Sequence, residues 1–332
     1  MKEKSQVKES SAFSAYLNEY YRVVKAEFQR HIEREICKEP KAIAPLIRKG
    51  VNEGKQLRPI LCRLVSDTLE GDAHSAFECG MALELIHCGT LIHDDWLDGD
   101  TFRREAPALW NELGSRTAIL VGDLMVATGS IHGAISLATG KSLANCGRKL
   151  TEGALADFTD KENYSESVYL DRIKRKTGAL YSAAAELGAL VSPRIDLAPQ
   201  MHKFGETVGV IYQITDDYLD LLNSIITKTA IGDLAIGIPT LPVTRLSRHP
   251  EYKEAIDVFV RTGKADKIIE RVKIDDAQNI FEELISPWQE MSRKYLEEVP
   301  DSTNKLLLEQ VPMSFANELI ASDKTKFHAD VF

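Results

Sequence analysis

Apolar residues recur at intervals of three and four along most of the chain, and the alternation that marks a half-buried strand is nearly absent. Only 20 glycines and 12 prolines interrupt 332 residues, so the pattern predicts an all-α protein. Helices are expected over 13–36, 41–49, 58–70, 73–98, 115–138, 141–160, 166–191, 197–222, 250–262 and 277–298. Residues 1–12 read as a polar extension, and Asn223 to Pro242 as a loop. No Pro- or Ser-rich linker divides the sequence and no short repeat is evident, which predicts a single domain over 1–332.

Two acidic sets break this apolar pattern, Asp94-Asp95-Trp96-Leu97-Asp98 and Asp216-Asp217-Tyr218-Leu219-Asp220. On an α-helix, positions i and i+4 overlap to within ~40°, so the first and third aspartates of each set project side by side. An acidic triplet on an exposed helix face is ordinarily a solvated surface. Here Leu85, Ile86, Leu91 and Ile92 precede the first set, and Val210, Ile211, Ile214, Leu221 and Leu222 surround the second. Charges set in apolar sequence need a counter-ion, and hard oxygen donors on a helix suit Mg²⁺, which takes a few carboxylates together with waters and phosphate oxygens. A helix bundle whose two acidic helices face each other across a central cavity is the expected architecture.

Charge and composition narrow the function. With 41 basic and 50 acidic residues, the formal charge is −9, which argues against a general nucleic-acid-binding surface. Cys37, Cys62, Cys79, Cys88 and Cys146 are scattered, without the C-x-x-C spacing of a zinc or redox pair, and read as reduced core residues. The N-terminal stretch has no apolar signal core, and no run of about 18 uncharged apolar residues occurs. A cytoplasmic protein without a transmembrane segment is expected.

Cations cluster in sequence near the acidic sets. Arg103 and Arg104 follow the first set, and guanidinium forks match phosphate oxygens, although arginine beyond a helix end also complements the helix dipole. Lys55 and Arg58 open another helix, whose free N–H groups favour anions. Lys176-Thr177-Gly178 lies within a predicted helix and Lys228 in the loop after the second set. Carboxylates for Mg²⁺ combined with several cations describe a polyphosphate site. No G-x-x-x-x-G-K-[ST] sequence is present, which excludes a P-loop nucleotide site.

With these residues in place, the chain resembles a trans-isoprenyl diphosphate synthase of the polyprenyl synthetase family. The matching segments are GKQLRP at 54–59, ELIHCGTLIHDDWLDGDTFRREAP at 84–107, VGD at 121–123, KTGAL at 176–180, FGETVGVIYQITDDYLD at 204–220 and TKTAIGDLAIGIPTLP at 227–242. The resemblance implies an all-α isoprenoid-synthase bundle, a homodimer, and head-to-tail condensation of isopentenyl diphosphate with an allylic diphosphate. It implies that Asp94, Asp95, Asp98, Asp216, Asp217 and Asp220 hold Mg²⁺ and the allylic diphosphate. It places Arg103, Lys176, Thr177, Gln213 and Lys228 on the allylic diphosphate, and Lys55, Arg58, His87 and Arg104 on isopentenyl diphosphate. Catalysis then rests on Asp94, Asp95, Asp98, Lys176, Asp216 and Asp217, while His93 is structural.

Two positions depart from the family's pattern: Gln56 replaces a usual Arg or Lys, and Ile238 a usual lysine. In the family, the residues four and five before the first aspartate floor the product cavity, where aromatics stop growth early. Here Thr90 and Gly89 are small, which implies a product of C20–C25 or longer unless Met81 or Met125 closes the tunnel. A class I terpene cyclase would share the fold but replace the second aspartate set, which this chain keeps whole. A non-catalytic subunit of a heteromeric synthase would often lose one set.

Overall fold

The computed structural model describes residues 2–51, 54–103, 106–159 and 165–322. Its helices are α1 (Lys2–Ile36), α2 (Ala44–Gly50), α3 (Leu57–Thr68), α4 (Ala73–Asp98), α5 (Leu109–Leu113), α6 (Ser115–Gly133), α7 (Leu137–Thr159), α8 (Glu166–Ile173), α9 (Ala179–Leu190), α10 (Ala198–Thr227), α11 (Leu241–Leu246), α12 (Pro250–Thr262), α13 (Asp266–Arg271), α14 (Ile274–Tyr295) and α15 (Thr303–Ser322). One small antiparallel hairpin, β1 (Phe102–Arg103) with β2 (Ala106–Pro107), pairs Phe102 with Pro107 and Arg103 with Ala106. The all-α expectation holds.

Three differences from the sequence pattern have local causes. α1 starts at Lys2 rather than residue 13, because Lys, Glu and Gln favour helix even without an apolar stripe. The helix expected over 166–191 is interrupted at Lys174–Gly178 by a turn of π-helix, an irregularity that apolar periodicity does not signal. α15 went unpredicted because Pro312 falls inside it and its apolar residues mark no single face.

Two compact units can be distinguished: Met1–Gly147, Ala183–His202 and Val299–Leu307 form one, and Arg148–Ser182, Lys203–Glu298 and Leu308–Phe332 the other. In the first, α4 packs on both α3 and α6. Met81, Leu85, Cys88 and Ile92 of α4 are buried with Phe28 and Ile32 of α1 and with Val121 and Met125 of α6. Cys62, Cys79, Cys88 and Cys146 are buried and outside any disulfide, while Cys37 is exposed. In the second unit, Ala277, Ile280, Phe281, Leu284 and Ile285 give α14 an apolar stripe at helical spacing. That stripe shares a core with Val210, Ile214, Tyr218, Leu221 and Leu222 of α10, where Tyr218 stacks on Phe281 with ring centroids 4.4 Å apart. Among the described residues, no helix is long and apolar enough to cross a membrane.

The α4–α6 contact sets a size limit at Gly89. A Cβ there would lie 2.8 Å from the Gly122 carbonyl oxygen and 3.0 Å from Val126 Cγ2, so the residue is small because the α6 backbone passes against it. Gly89→Ala should therefore destabilise the protein by about 1–3 kcal/mol, although alanine is the better helix former. Gly147→Ala in α7, where an added Cβ meets nothing within 4 Å, should instead stabilise by roughly 0.5–1 kcal/mol. Denaturant unfolding of the two variant proteins checks both signs, and a Gly89→Ala protein as stable as the wild type would contradict this packing.

Candidate functional site

The first aspartate set occupies the last turns of α4. Asp72 caps the start of this helix, its carboxylate accepting the Ser75 N–H at 2.7 Å, and Gly99 ends it with φ +75°, a left-handed conformation that glycine adopts without strain. The Asp100 N–H bonds back to the Asp95 carbonyl at 2.9 Å, closing the turn immediately after the set. Trp110 Nε1 and Asn111 Nδ2 of α5 then donate to the carbonyls of Asp100 and Thr101, fixing the turn that leads into the hairpin.

Within the set, Asp95 is buried at 2% exposure, Asp94 is half-buried and Asp98 exposed. The hairpin returns Arg103 to the helix, where its Nε donates to Asp95 Oδ1 at 2.5 Å and a second guanidinium nitrogen pairs with the same oxygen. Burial works against the Arg103 charge, but the Asp95 hydrogen bond and the carboxylates of Asp95, Asp94 and Asp100 outweigh it and raise its pKa. A buried carboxylate thus carries its own counter-charge.

His87, half-buried, lies seven residues before Asp94, two turns back on nearly the same face of α4. Lys55 and Arg58, also half-buried, flank the start of α3, which packs on α4. Between them Gln56 is buried with φ +56°, and its Oε1 makes no hydrogen bond. Arg104 lies outside the described residues. His93 Nε2 is 3.1 Å from the Ile119 carbonyl oxygen of α6, which suits a structural role.

The second set lies on α10 and is neutralised differently. Asp217 is buried at 4% exposure, Asp216 is exposed and Asp220 half-buried. Gln213 Nε2 donates to Asp217 Oδ1 at 3.0 Å, and Thr177 Oγ1 donates to Gln213 Oε1 at 2.6 Å. The Tyr169 hydroxyl of α8 makes a short hydrogen bond to Asp217 Oδ2. The π-helical turn thus joins the set through Thr177, while Lys176 beside it is exposed.

Burial pushes the Asp217 carboxyl up to about 8; the Tyr169 hydrogen bond works against that rise, the charge on Asp233 adds to it, Gln213 opposes and Asp216 adds. Burial, joined by Asp217 and Asp233, also pushes the Tyr169 hydroxyl far up, so it remains a donor. Asp233 comes from the 3₁₀ turn Gly232–Leu234, which closes on the set: any Cβ at Gly232, φ +54°, would overlap the Asp220 carboxylate. Sequence reasoning missed Tyr169 and Asp233. Tyr169 lies 48 residues before its partner, and a tyrosine in an amphipathic helix carries no signal of its hydroxyl's destination.

Not every expected residue joins a set. Lys228 adopts φ +58° and its Nζ donates to the Ile269 carbonyl of α13 at 3.2 Å. Thr90 is half-buried, with its hydroxyl donating to the His87 carbonyl at 2.8 Å. Met81 and Met125 are core residues, and Ile238 is half-buried, its N–H bonded to the Asp233 carbonyl at 2.8 Å. Chemically, each set offers hard oxygen donors at positions i, i+1 and i+4 of a helix. Asp217 fits a cation especially well, since its hydrogen-bond donors are neutral and a metal would stabilise the ionised form.

Comparison with known proteins identifies the family. The Polyprenyl synthetase family profile matches residues 40–274. Geranylgeranyl diphosphate synthase of Sulfolobus acidocaldarius is 30% identical over 320 residues, covering 89% of this chain and 93% of that protein. Heptaprenyl diphosphate synthase component 2 of Bacillus subtilis is 29% identical over 274 residues, covering 79% and 78%. The crystal structure of geranylgeranyl pyrophosphate synthetase from Pyrococcus horikoshii superposes with a TM-score of 0.75 at 24% identity, over 90% of this chain and 98% of that one, which shows the isoprenoid-synthase fold. The chain belongs to the polyprenyl synthetase family and is a prenyltransferase that makes polyprenyl diphosphates.

Proposed function

We propose that this enzyme condenses isopentenyl diphosphate head-to-tail with an allylic diphosphate in a Mg²⁺-dependent reaction, giving a linear all-trans product of C20–C25 or longer. The observation that carries the reading is that both aspartate sets are complete and each buries its second carboxylate. In the reaction, the C–O bond to the allylic diphosphate breaks, the isopentenyl double bond attacks the allylic carbon to form the new C–C bond, and a proton leaves to the departed diphosphate. No side-chain nucleophile is needed.

Asp94, Asp95, Asp98, Asp216, Asp217 and Asp220 would hold the metal, which when bound neutralises charge developing on the leaving diphosphate. Arg103 fixes the Asp95 carboxylate, and the chain Thr177–Gln213–Asp217, closed by Tyr169, fixes the other buried carboxylate. Lys176 and Lys228 are proposed on the allylic diphosphate, the latter by leaving the Ile269 carbonyl, and Lys55, Arg58, His87 and Arg104 on isopentenyl diphosphate. Small Thr90 and the geranylgeranyl and heptaprenyl names of the relatives support the product length. Small Gly89 is proposed at the cavity floor beside Thr90, on a helix face that also packs closely on α6.

The "component 2" name of the Bacillus relative favours a second reading, in which this chain needs a different partner chain for activity. We propose instead that the chain acts by itself, as a homodimer. Purified protein with Mg²⁺, isopentenyl diphosphate and each allylic primer in turn separates the readings, with products sized by mass. Consumption of isopentenyl diphosphate with a C20 or longer product is expected. A cyclised product without isopentenyl diphosphate consumption would indicate a cyclase, and no product from the folded chain alone would favour the heteromeric reading. In the same assay Asp94→Ala and Asp216→Ala should each lower turnover by orders of magnitude with unchanged circular dichroism.

Tyr169→Phe tests the support of the buried carboxylate. It leaves every aspartate in place, so the half-saturating Mg²⁺ concentration should rise about 10-fold, the lower end of what loss of an outer hydrogen bond to a metal ligand brings. An unchanged Mg²⁺ dependence would remove Tyr169 from the site.

A further inference from the structure

Apart in sequence from both aspartate sets, α1, α4 and α6 bring three histidines to one carboxylate. His74 and Glu78 stand at i and i+4 in the first turns of α4, on one face of that helix. His31 comes from α1 and His132 from the end of α6. His31 Nε2 lies 3.1 Å from Glu78 Oε1, and His74 Nε2 lies 4.0 Å from the same oxygen. His132 Nδ1 is 2.7 Å from the other carboxylate oxygen, Oε2.

Two observations separate this cluster from an ordinary surface group of polar side chains. The donor atoms of His31, His74 and Glu78 all fall within 4.8 Å of one another. Ligand atoms ~2.1 Å from a tetrahedral ion are ~3.4 Å apart, so small side-chain rotations would bring the three donors onto one centre. In addition, His31 is only 6% exposed, yet its Nε2 makes no hydrogen bond although it lies 3.1 Å from a carboxylate oxygen. A buried ring nitrogen close to a carboxylate oxygen but not hydrogen-bonded to it leaves room for a cation shared between the two.

The ring is held in place from the side, stacked on Phe77 at 5.9 Å between centroids and edge-on to His74 at 6.0 Å. We propose that His31, His74 and Glu78 form a binding site for a borderline first-row divalent ion such as Zn²⁺. Two imidazoles and one carboxylate suit Zn²⁺ rather than Mg²⁺ or Ca²⁺, which prefer oxygen. His132 orients the carboxylate through its second oxygen, as outer partners of metal ligands do.

A bound ion would clip α1 to α4, two helices that also share apolar packing in the first unit. The fourth coordination position would open to a cleft of ≈ 330 Å³ lined by Glu27, Arg30 and Arg34 along with His31, His74 and Phe77. The role is structural: none of these residues belongs to the aspartate sets, and the clip needs no substrate.

The test uses the full chain, stripped by chelator and held in millimolar Mg²⁺ so that Mg²⁺ competes for the aspartate sets. Zn²⁺ binding is measured by competition with a chromophoric chelator, and thermal unfolding is followed with and without Zn²⁺. His74 has 76% of its side chain exposed, so His74→Ala should melt with the wild type when metal-free. The wild type should bind one more Zn²⁺ per chain than His74→Ala and Glu78→Gln, or bind it at least about 10-fold more tightly, and only the wild type should gain melting temperature from Zn²⁺. Equal Zn²⁺ affinity and stoichiometry in wild type and both variants, or no Zn²⁺ bound by the wild type at micromolar concentration, would overturn the proposal.

Discussion

A carboxylate taken out of water costs several kcal/mol unless something answers its charge, and this chain buries one in each aspartate set. Much of the local structure around the two sets follows from how each charge is met. Beside Asp95 the answer is covalently close: Gly99 stops α4, the chain turns, and the β1–β2 hairpin delivers Arg103 eight residues later. Beside Asp217 the donors are the neutral groups Tyr169 and Gln213, with a second carboxylate, Asp233, adding to the negative field. A protein selected only for stability would replace such a group with a neutral one of the same shape. Its retention is what a site built to hold a cation and a diphosphate requires.

The same contrast orders the supporting parts. Thr177 reaches Gln213 from the π-helical turn Lys174–Gly178, which breaks an otherwise regular helical segment. In that turn Lys174 pairs with Glu206 and Arg175 with Asp171, and Lys176 is exposed. The turn after α10 is tied back by the Ile231 N–H on Ser224 Oγ, and Gly232 lets its backbone approach Asp220 more closely than any side chain would allow. Irregular backbone gathers where the chemistry is proposed, and the regular helices around it supply the core.

Much of this was legible in the chain. The bounds 73–98 of α4 follow from Asp72 as cap, Gly99 as terminator and an apolar pattern between them. Both aspartate sets, with Gln213 and Thr177, were found by motif and fall into hydrogen-bonded or ion-paired clusters. Other features depend on contacts between distant segments. Tyr169 and Asp233 act on Asp217 from other elements, and nothing in their local sequence marks that role. The sequence marks Gly89 as small, but the Gly122 carbonyl that an added Cβ would meet belongs to a neighbouring helix. Lys228 matched a phosphate contact, yet its ammonium lies on the Ile269 carbonyl. Motifs identify residue types and spacing, whereas side-chain direction is settled by packing.

The central claim is that the buried carboxylates are kept for a cation and diphosphate at the expense of stability. Thermal unfolding of Asp217→Asn tests it most directly, with metal removed and again with Mg²⁺ plus an unreactive allylic diphosphate analogue. Measured above pH 8, where the Asp217 carboxyl is ionised, the comparison isolates the buried charge, because the substitution keeps the shape and removes that charge. The account predicts that metal-free Asp217→Asn melts at or above the wild type, and that the rise in melting temperature given by Mg²⁺ and the analogue in the wild type is lost. A variant that melts well below the wild type without metal, and still gains the full rise with ligand, would show that Asp217 is structural and would contradict the account.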